Sequence, residues 1–458
     1  MTKLISISPD NRISKLGEVD ITSETQVKEA VSNARSSFKQ WSRLSVEERK
    51  QYLEKIYKVF DSNREELAKL ESMEMGMPIE ESLIDLDSGL NYFKWYLENS
   101  ERYLSPEVSF ENDTELHTVS YEPIGVSAVI MPWNFPFSNL IWGIMPNLIV
   151  GNTVVFKHSE ETPLVCKKYE ELISSTDLPE GVLNFIYGDG KVGDILVHED
   201  IDLICFTGST KTGQYLYKVG AEKMIRVVLE LGGSAPGVVF EDADLDTVIE
   251  TVFINRFGNC GQICDGLKRM IVHESLVDDF ISKLESKLES IKVGNPLEED
   301  TNIGPLVAQR QVELLQEQVK DAIEKGAEVV VGGKKPDNLD GPYYLPTILR
   351  NISKDMRVWK EEVFGPVLPV ITFKTYEEAI ELANDTQYGL GSYVFTKDSA
   401  LGERAARDIK TGMVSINGAF YVIPQDPFGG CKMSGMGREH GKWGLRELTE
   451  VKVIAKYK

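Results

Sequence analysis

The segment FGNCGQICDGLKR, residues 257–269, holds two of the chain's five cysteines, Cys260 and Cys264, beside a Gly–Gln pair and an asparagine. Several chemistries could use such a pair. Structural zinc needs four ligands, ordinarily from two paired units. No second cysteine pair exists, and His117, His158, His198, His273 and His440 stand at no ligand spacing, so no metal is expected. The gap also differs from the C-x-x-C of a catalytic dithiol. A cysteine hydrolase would need a histidine base, and nothing local selects one. A single nucleophilic thiol remains, with two small buried core residues as the plain alternative.

Cys264 precedes a short polar run and the strand-like KRMIVHE, which would set it at the wall of a crevice. A thiolate attacking a carbonyl creates an oxyanion, and that charge needs fixed N–H donors. The Cys264 backbone amide and the side chain of Asn134, in the uncharged MPWNFPF, are the candidates; a satisfied turn asparagine is the alternative. Glu230 ends the apolar VVLEL before two glycines. Desolvation there raises a carboxylic acid toward neutrality, which suits a base that activates water. Taken alone, that segment fits a partly solvated strand-end carboxylate slightly better.

These residues need a scaffold. Residues 23–72 read as helical, with capping boxes at Ser23/Gln26 and Ser45/Glu48. A further helix is expected over 79–103. Short β-rich runs then alternate with helical stretches such as 163–175 and 211–221, which implies a parallel sheet covered by helices. A second series follows Gly233: helix 240–260, strand 269–273, helices 275–291 and 308–325, and strand 328–332. The fold class is α/β with two lobes. Residues 123–156 carry no charge, but Pro132, Pro136, Pro146 and three asparagines interrupt them. A lipid-facing helix would leave broken backbone groups unpaired, so this stretch reads as buried strand, loop, helix, buried strand, and no membrane partner is expected.

The net charge of −22 opposes binding to a nucleic-acid backbone. It does not oppose a phosphate-bearing cofactor held by helix N-termini. GDGKVG matches G-x-G-x-x-G at Gly188, Gly190 and Gly193, but the acidic residue required about twenty residues on is missing. FTGSTKTG, with Gly208 and Gly213 bracketing a strand-to-helix turn, is the better pyrophosphate cradle; an ordinary tight turn would look the same. The odd cysteine count does not suggest a secreted disulfide framework. MTKLISISPDNRIS shows no signal peptide, so a cytoplasmic location is expected.

Taken in order, EPIGVSAVIMPWNFPF, GNTVVFKHSE, FTGSTKTG, LELGG, FGNCGQICDGLKR, EEVFGPV and PFGGCKMSGMGRE resemble the NAD(P)-dependent aldehyde dehydrogenase superfamily over nearly the whole chain. The resemblance implies two Rossmann-type parallel-sheet lobes plus a small β oligomerisation arm. Residues 1–104 and 124–232 would form a discontinuous dinucleotide-binding domain, 233–433 the catalytic domain, and 105–123 with 446–458 the arm. It implies Cys264 as nucleophile, Glu230 as general base and Asn134 as oxyanion donor. Trp133, Gly208 and Ser209 would lie near the pyrophosphate, Lys157 and Glu160 at the adenosine ribose, Glu362 and Phe364 at the nicotinamide. Cys260 has no implied role and is read as structural; oxidised pairing with Cys264 is the alternative. A carboxylate at the Glu160 position repels a 2′-phosphate, which favours NAD, with NADP as the second cofactor. The family's chemistry is oxidation of a small aldehyde through a thiohemiacetal and a thioester, and its C-terminal tail pairs between subunits, so a homodimer or homotetramer is expected.

Within the superfamily the short N-terminus and LELGGSAPGVVFEDADLD are most similar to the succinate-semialdehyde dehydrogenase branch. That branch usually has arginines eight residues after the oxyanion asparagine and six before the nucleophile; here those positions are Trp142 and Gly258. A buried carboxylate tail would lack its bidentate partner. The expectation is therefore an aliphatic, uncharged substrate in a pocket of Phe135, Trp142, Ile263 and Phe428, with succinate semialdehyde second. A CoA-acylating enzyme and a non-catalytic relative are the other readings; retention of Glu230 and Cys264 disfavours both.

Overall fold

The computed structural model describes residues 2–10 and 15–458. Part of the opening segment read for a signal peptide, residues 1 and 11–14, lies outside them. Both expected capping boxes form. Ser23 and Ser45 each accept from the backbone of the residue three on, and Gln26 and Glu48 reach back to the cap, starting the helices Glu24–Trp41 and Val46–Ser62. The expected helix after residue 79 is Ile79–Leu104, whose buried face packs on Pro136–Val150. The uncharged stretch is strand Val126–Ile130, a loop, that helix, then strand Thr153–Lys157. Pro146 sits inside the helix. No helix among the described residues is long and apolar enough to cross a membrane.

Two parallel sheets carry the molecule. The first has six strands in the order Gly435–Met436, Arg226–Glu230, Leu203–Thr207, Val126–Ile130, Thr153–Lys157, Leu183–Ile186, parallel except for the short first strand. The second has seven, parallel except for the first, which runs antiparallel to its neighbour: Glu328–Val331, Thr347–Arg350, Val367–Phe373, Leu267–His273, Ala235–Val239, Tyr393–Phe395 and Ser415–Ile416. Both are covered by helices, which buries strands such as TVVFK throughout. A third, antiparallel sheet joins Glu107–Glu111, Glu115–Pro123 and the C-terminal Thr449–Tyr457.

One expected helix is broken. Residues 240–260 do not form one helix: α-helix covers Leu245–Val252, widens to a π-turn over Phe253–Phe257, and ends in a tight turn over Gly258–Gly261. In that turn Asn259 and Cys260 hold left-handed backbone, φ 46° and 53°. Two successive non-glycine residues in that region are costly and stay there only if their surroundings hold them. The turn re-aims the chain toward Cys264.

Candidate active site

Cys264 lies between that turn and the strand Leu267–His273. Three contacts fix the turn. Glu81, from the helix Ile79–Leu104, accepts the Asn259 backbone N–H at 2.6 Å. Asn259 donates its side-chain amide to the Asn134 carbonyl at 2.6 Å. Gln262 donates to the Asn259 carbonyl at 3.1 Å and accepts from the Val307 N–H at 2.9 Å. Asn134 closes the network, donating Nδ2 to the Gln262 carbonyl at 3.0 Å while its own oxygen accepts from Asn139 at 3.4 Å. One hydrogen of the Asn134 amide is thus committed, and the other stays free for an oxyanion.

The sulfur packs with Leu390, Met413, Phe428, Tyr421 and Val422. Its thiol donates to Asp265 Oδ1 at 3.8 Å. Burial pushes the Cys264 thiol well up, Asp265 adds to that, and Lys268 opposes it. The site without cofactor thus disfavours the thiolate. Lys268, fully buried, donates to the Cys264 carbonyl at 2.8 Å, to the Gly233 carbonyl at 3.0 Å and to Glu362. Glu362 also accepts the Gly233 N–H at 3.0 Å.

Glu230 ends its strand 2% exposed, and neither carboxylate oxygen meets a partner within the described residues. Burial raises its pKa well above the carboxylate range; Glu439 and Asp265 raise it further and Arg438 opposes them. The chain continues from Glu230 to Gly233, where a Cβ would lie 2.5 Å from the Cys264 carbonyl oxygen, so the two groups belong to one site.

The residues expected at the adenosine and pyrophosphate of the cofactor gather at the carboxyl ends of the six-stranded sheet. The strand Val126–Ile130 has Thr153–Lys157 on one side and Leu203–Thr207 on the other. Chain direction across the sheet reverses there, which is where open α/β sheets bind dinucleotides. Trp133 follows the first strand and Lys157 ends the second. Gly208 and Ser209 follow the third, where Ser209 caps the helix Thr210–Lys223 through Thr212 N. Lys157 Nζ lies 3.7 Å from Glu160. From the other sheet, Phe364 meets the Trp133 ring edge-on at 5.7 Å, with Lys268 over its face at 5.2 Å. A helix N-terminus, small residues, a buried lysine and a flanking carboxylate fit a dinucleotide.

Two of the four expected pocket residues meet ring to ring. These are Trp142 and Phe428, with ring centres 6.1 Å apart, flanked by Tyr92 and His440. Phe135 instead packs toward Met75, Met77 and Val307. Ile263 is half-buried and lies beside Gly258 and Gly266. Cys260 sits in the core of the seven-stranded sheet, its thiol free, whereas Cys264 belongs to the separate cluster described above. Arg256 is turned away, donating to the Val363 and Gly261 carbonyls.

The Aldehyde dehydrogenase family model matches residues 2–454. The chain belongs to the aldehyde dehydrogenase family. A pea (Pisum sativum) relative, peroxisomal aminoaldehyde dehydrogenase 1, is 41% identical over 453 residues, 96% of this chain and 90% of its own. Mitochondrial succinate-semialdehyde dehydrogenase of rice (Oryza sativa subsp. japonica) is 37% identical over 441 residues, covering 96% and 84%. The crystal structure of a Staphylococcus aureus betaine aldehyde dehydrogenase in complex with NAD+ superposes with a TM-score of 0.95 at 35% identity, covering 99% of this chain and 91% of that one. The protein is an NAD(P)-dependent oxidoreductase of the aldehyde group with the aldehyde dehydrogenase fold.

Several residues of this dehydrogenase escaped the sequence reading. Lys268, Asp265 and Gln262 lay inside the quoted nucleophile motif, but their partners come from Glu362, Tyr421 and Val307, at separations no local pattern reports. Glu81 acts on Asn259 from the other side of the chain.

Proposed function

We propose that this enzyme oxidises an aliphatic aldehyde bearing no carboxylate to the corresponding acid, with NAD preferred over NADP. The reading rests on one observation above all: Glu230 is a buried carboxyl with neither oxygen paired, its Oε1 against Gly429, next to the Phe428 of the cluster that holds Cys264. An unpaired buried carboxyl is costly, and a water-activating base is a role that uses it.

Lys157 and Glu160 would hold the adenosine ribose, Trp133, Gly208 and Ser209 the pyrophosphate, and Glu362 with Phe364 the nicotinamide end. Bound NAD+ supplies a hydride acceptor and a positive ring that favours the thiolate. Cys264 adds to the aldehyde carbon, and the free Asn134 N–H with the Cys264 amide holds the resulting oxyanion. Loss of hydride from that carbon leaves a thioester on Cys264. Glu230 then takes a proton from water, whose oxygen attacks the thioester and releases the acid and the thiol.

The tail preference has its own support. The nearby cations are engaged: Arg256 with two carbonyls, Lys268 with Glu362 and two carbonyls, and Arg438 with the Gly430 and Gly437 carbonyls. None is free to receive a carboxylate, and Asp265 beside the sulfur would repel one. Succinate semialdehyde is the second reading, favoured by the sequence likeness of LELGGS and by the rice relative. Reduced-nicotinamide absorbance with hexanal, succinate semialdehyde, and hexanal plus CoA separates the readings. Hexanal turnover independent of CoA is expected; a clear preference for succinate semialdehyde rejects the tail assignment. For assembly we propose a homodimer or homotetramer through the three-stranded arm, whose outer residues Val451, Val453, Ile454 and Phe110 are exposed apolar groups on an edge.

A further inference from the structure

Asp85 has no part in the mechanism above, yet it is buried at the start of the helix that follows Asn134. Its Oδ2 accepts the backbone N–H groups of Phe137 at 3.1 Å and Ser138 at 3.4 Å, and its carbonyl accepts the Ser138 hydroxyl at 3.2 Å. The first turn of a helix leaves such N–H groups without partners inside the helix. In Pro136–Val150 the capping residue is Phe135, which has no side-chain acceptor to offer them. Asp85 supplies the cap from the helix Ile79–Leu104 instead. In the same turn Asn139 donates its backbone N–H to the Phe135 carbonyl at 2.9 Å and its side-chain amide to the Asn134 oxygen at 3.4 Å. Where this helix starts therefore sets where the Asn134 amide points.

Residues four apart share a helix face, and Asp85 lies on one with two neighbours that bear on the same site. Glu81, four before it, accepts the Asn259 N–H of the turn that leads to Cys264 at 2.6 Å. Gly89, four after it, lets the Phe137 ring approach so closely that a Cβ there would lie 2.5 Å from it. One face of one helix thus holds the turn of the nucleophile at one point and the helix of the oxyanion donor at the next. A second buried carboxyl gives a matched comparison. Glu74 accepts the N–H groups of Leu164 at 2.8 Å and Val165 at 2.7 Å. It caps the helix Pro163–Ser174 as Asp85 caps Pro136–Val150, but that helix carries none of the catalytic groups.

Resting on the reading of Asn134 as oxyanion donor, we infer that Asp85 is a positioning residue for the reaction: by capping the helix Pro136–Val150 it fixes the Asn134 amide against the Cys264 turn, which Glu81 holds from the same helix face. Asp85 acts through Asn134, so once the Asn134 amide is removed Asp85 has nothing left to position.

The test is a double-mutant cycle on hexanal oxidation at saturating NAD+, with kcat taken per equivalent of folded protein by circular dichroism. Asp85→Ala should lower kcat by about tenfold or more, as a misplaced reacting group implies. The KM for NAD+ should stay within about twofold, because the lost interaction serves the transition state. Asp85→Asn, which keeps one acceptor oxygen, should recover most of the loss. In an Asn134→Ala background the Asp85→Ala change should leave kcat where Asn134→Ala alone puts it, since groups that act as one unit are not additive. Glu74→Ala removes the matched cap; it should lower the melting temperature but hold kcat within about twofold. Should Asp85→Ala not fold, Ser138→Ala carries the same cycle: it removes one of the three contacts and should lower kcat severalfold, again only while Asn134 is present. A kcat unchanged by loss of these contacts, a loss that multiplies undiminished onto Asn134→Ala, or an equal loss in Glu74→Ala overturns the inference. Full kcat in Asn134→Ala alone overturns the oxyanion reading instead, and that single variant shows it without any change at Asp85.

Discussion

Asn134 donates its side-chain amide to the Gln262 carbonyl at 3.0 Å, two residues before Cys264. The candidate oxyanion donor and the nucleophile are therefore not positioned independently. Asn134 holds the turn that presents the thiol, and the turn, through Asn259, holds the Asn134 backbone at 2.6 Å. Asn134→Ala should lower kcat about a hundredfold or more through loss of the oxyanion donor. Because the same amide also supports the turn, the variant should alkylate more slowly at Cys264 as well, which iodoacetamide kinetics would check.

Glu81 reaches Asn259 from another helix and bears on a strained turn. Burial raises its pKa to about 7, opposed by the Asn259 hydrogen bond. A carboxyl with a raised folded pKa contributes stability below its unfolded value near 4.5, and that contribution is lost as pH rises through about 7. Glu81→Gln should therefore flatten the fall in melting temperature across that window. Glu81→Ala, which removes the acceptor, should lower kcat by roughly tenfold or more, because misplacing a reacting group by even about an ångström is costly.

Gly233 passes so close to the nucleophile that a Cβ there would lie 2.5 Å from the Cys264 carbonyl oxygen and 3.2 Å from Leu390 Cβ. Gly233→Ala should destabilise the fold by about 1–3 kcal/mol. It should also displace the carbonyl that Lys268 holds at 2.8 Å. Chemical denaturation and kcat report the two effects separately.

Cofactor choice turns on Glu160, exposed at the end of the Thr153–Lys157 strand beside Lys157. Glu160→Ser should shift the NAD-to-NADP ratio of kcat/KM toward NADP by roughly tenfold, as loss of one repulsive charge against a 2′-phosphate implies. A wild-type preference for NADP would reject the assignment.

Much of this was legible in the chain. Cys264, Glu230 and Asn134 stand in motifs whose residue types imply their chemistry, and the capping boxes and alternating strands marked the two sheets. The misplacements have physical causes. Residues 240–260 carry a helical pattern, yet Asn259, donating to Glu81 and to the Asn134 carbonyl, is held with Cys260 in left-handed backbone that no local preference favours. Phe135 packs with Trp133 on the cluster of Met75, Met77 and Val307, contacts at separations no local pattern reports. The upward push on the Cys264 thiol comes from burial first and Asp265 second, and burial is a property of the folded site.

The most direct test traps the acyl-enzyme. Glu230→Gln removes the base, so with NAD+ and hexanal it should release reduced nicotinamide in a burst of about one equivalent, followed by turnover slowed about a thousandfold. With wild type, by contrast, kcat should rise with pH as the raised Glu230 carboxyl loses its proton. Intact and peptide mass spectrometry of the quenched variant should find a hexanoyl group on Cys264. Full turnover by the variant with no adduct, or an acyl group on any other residue, Cys260 included, would contradict the account.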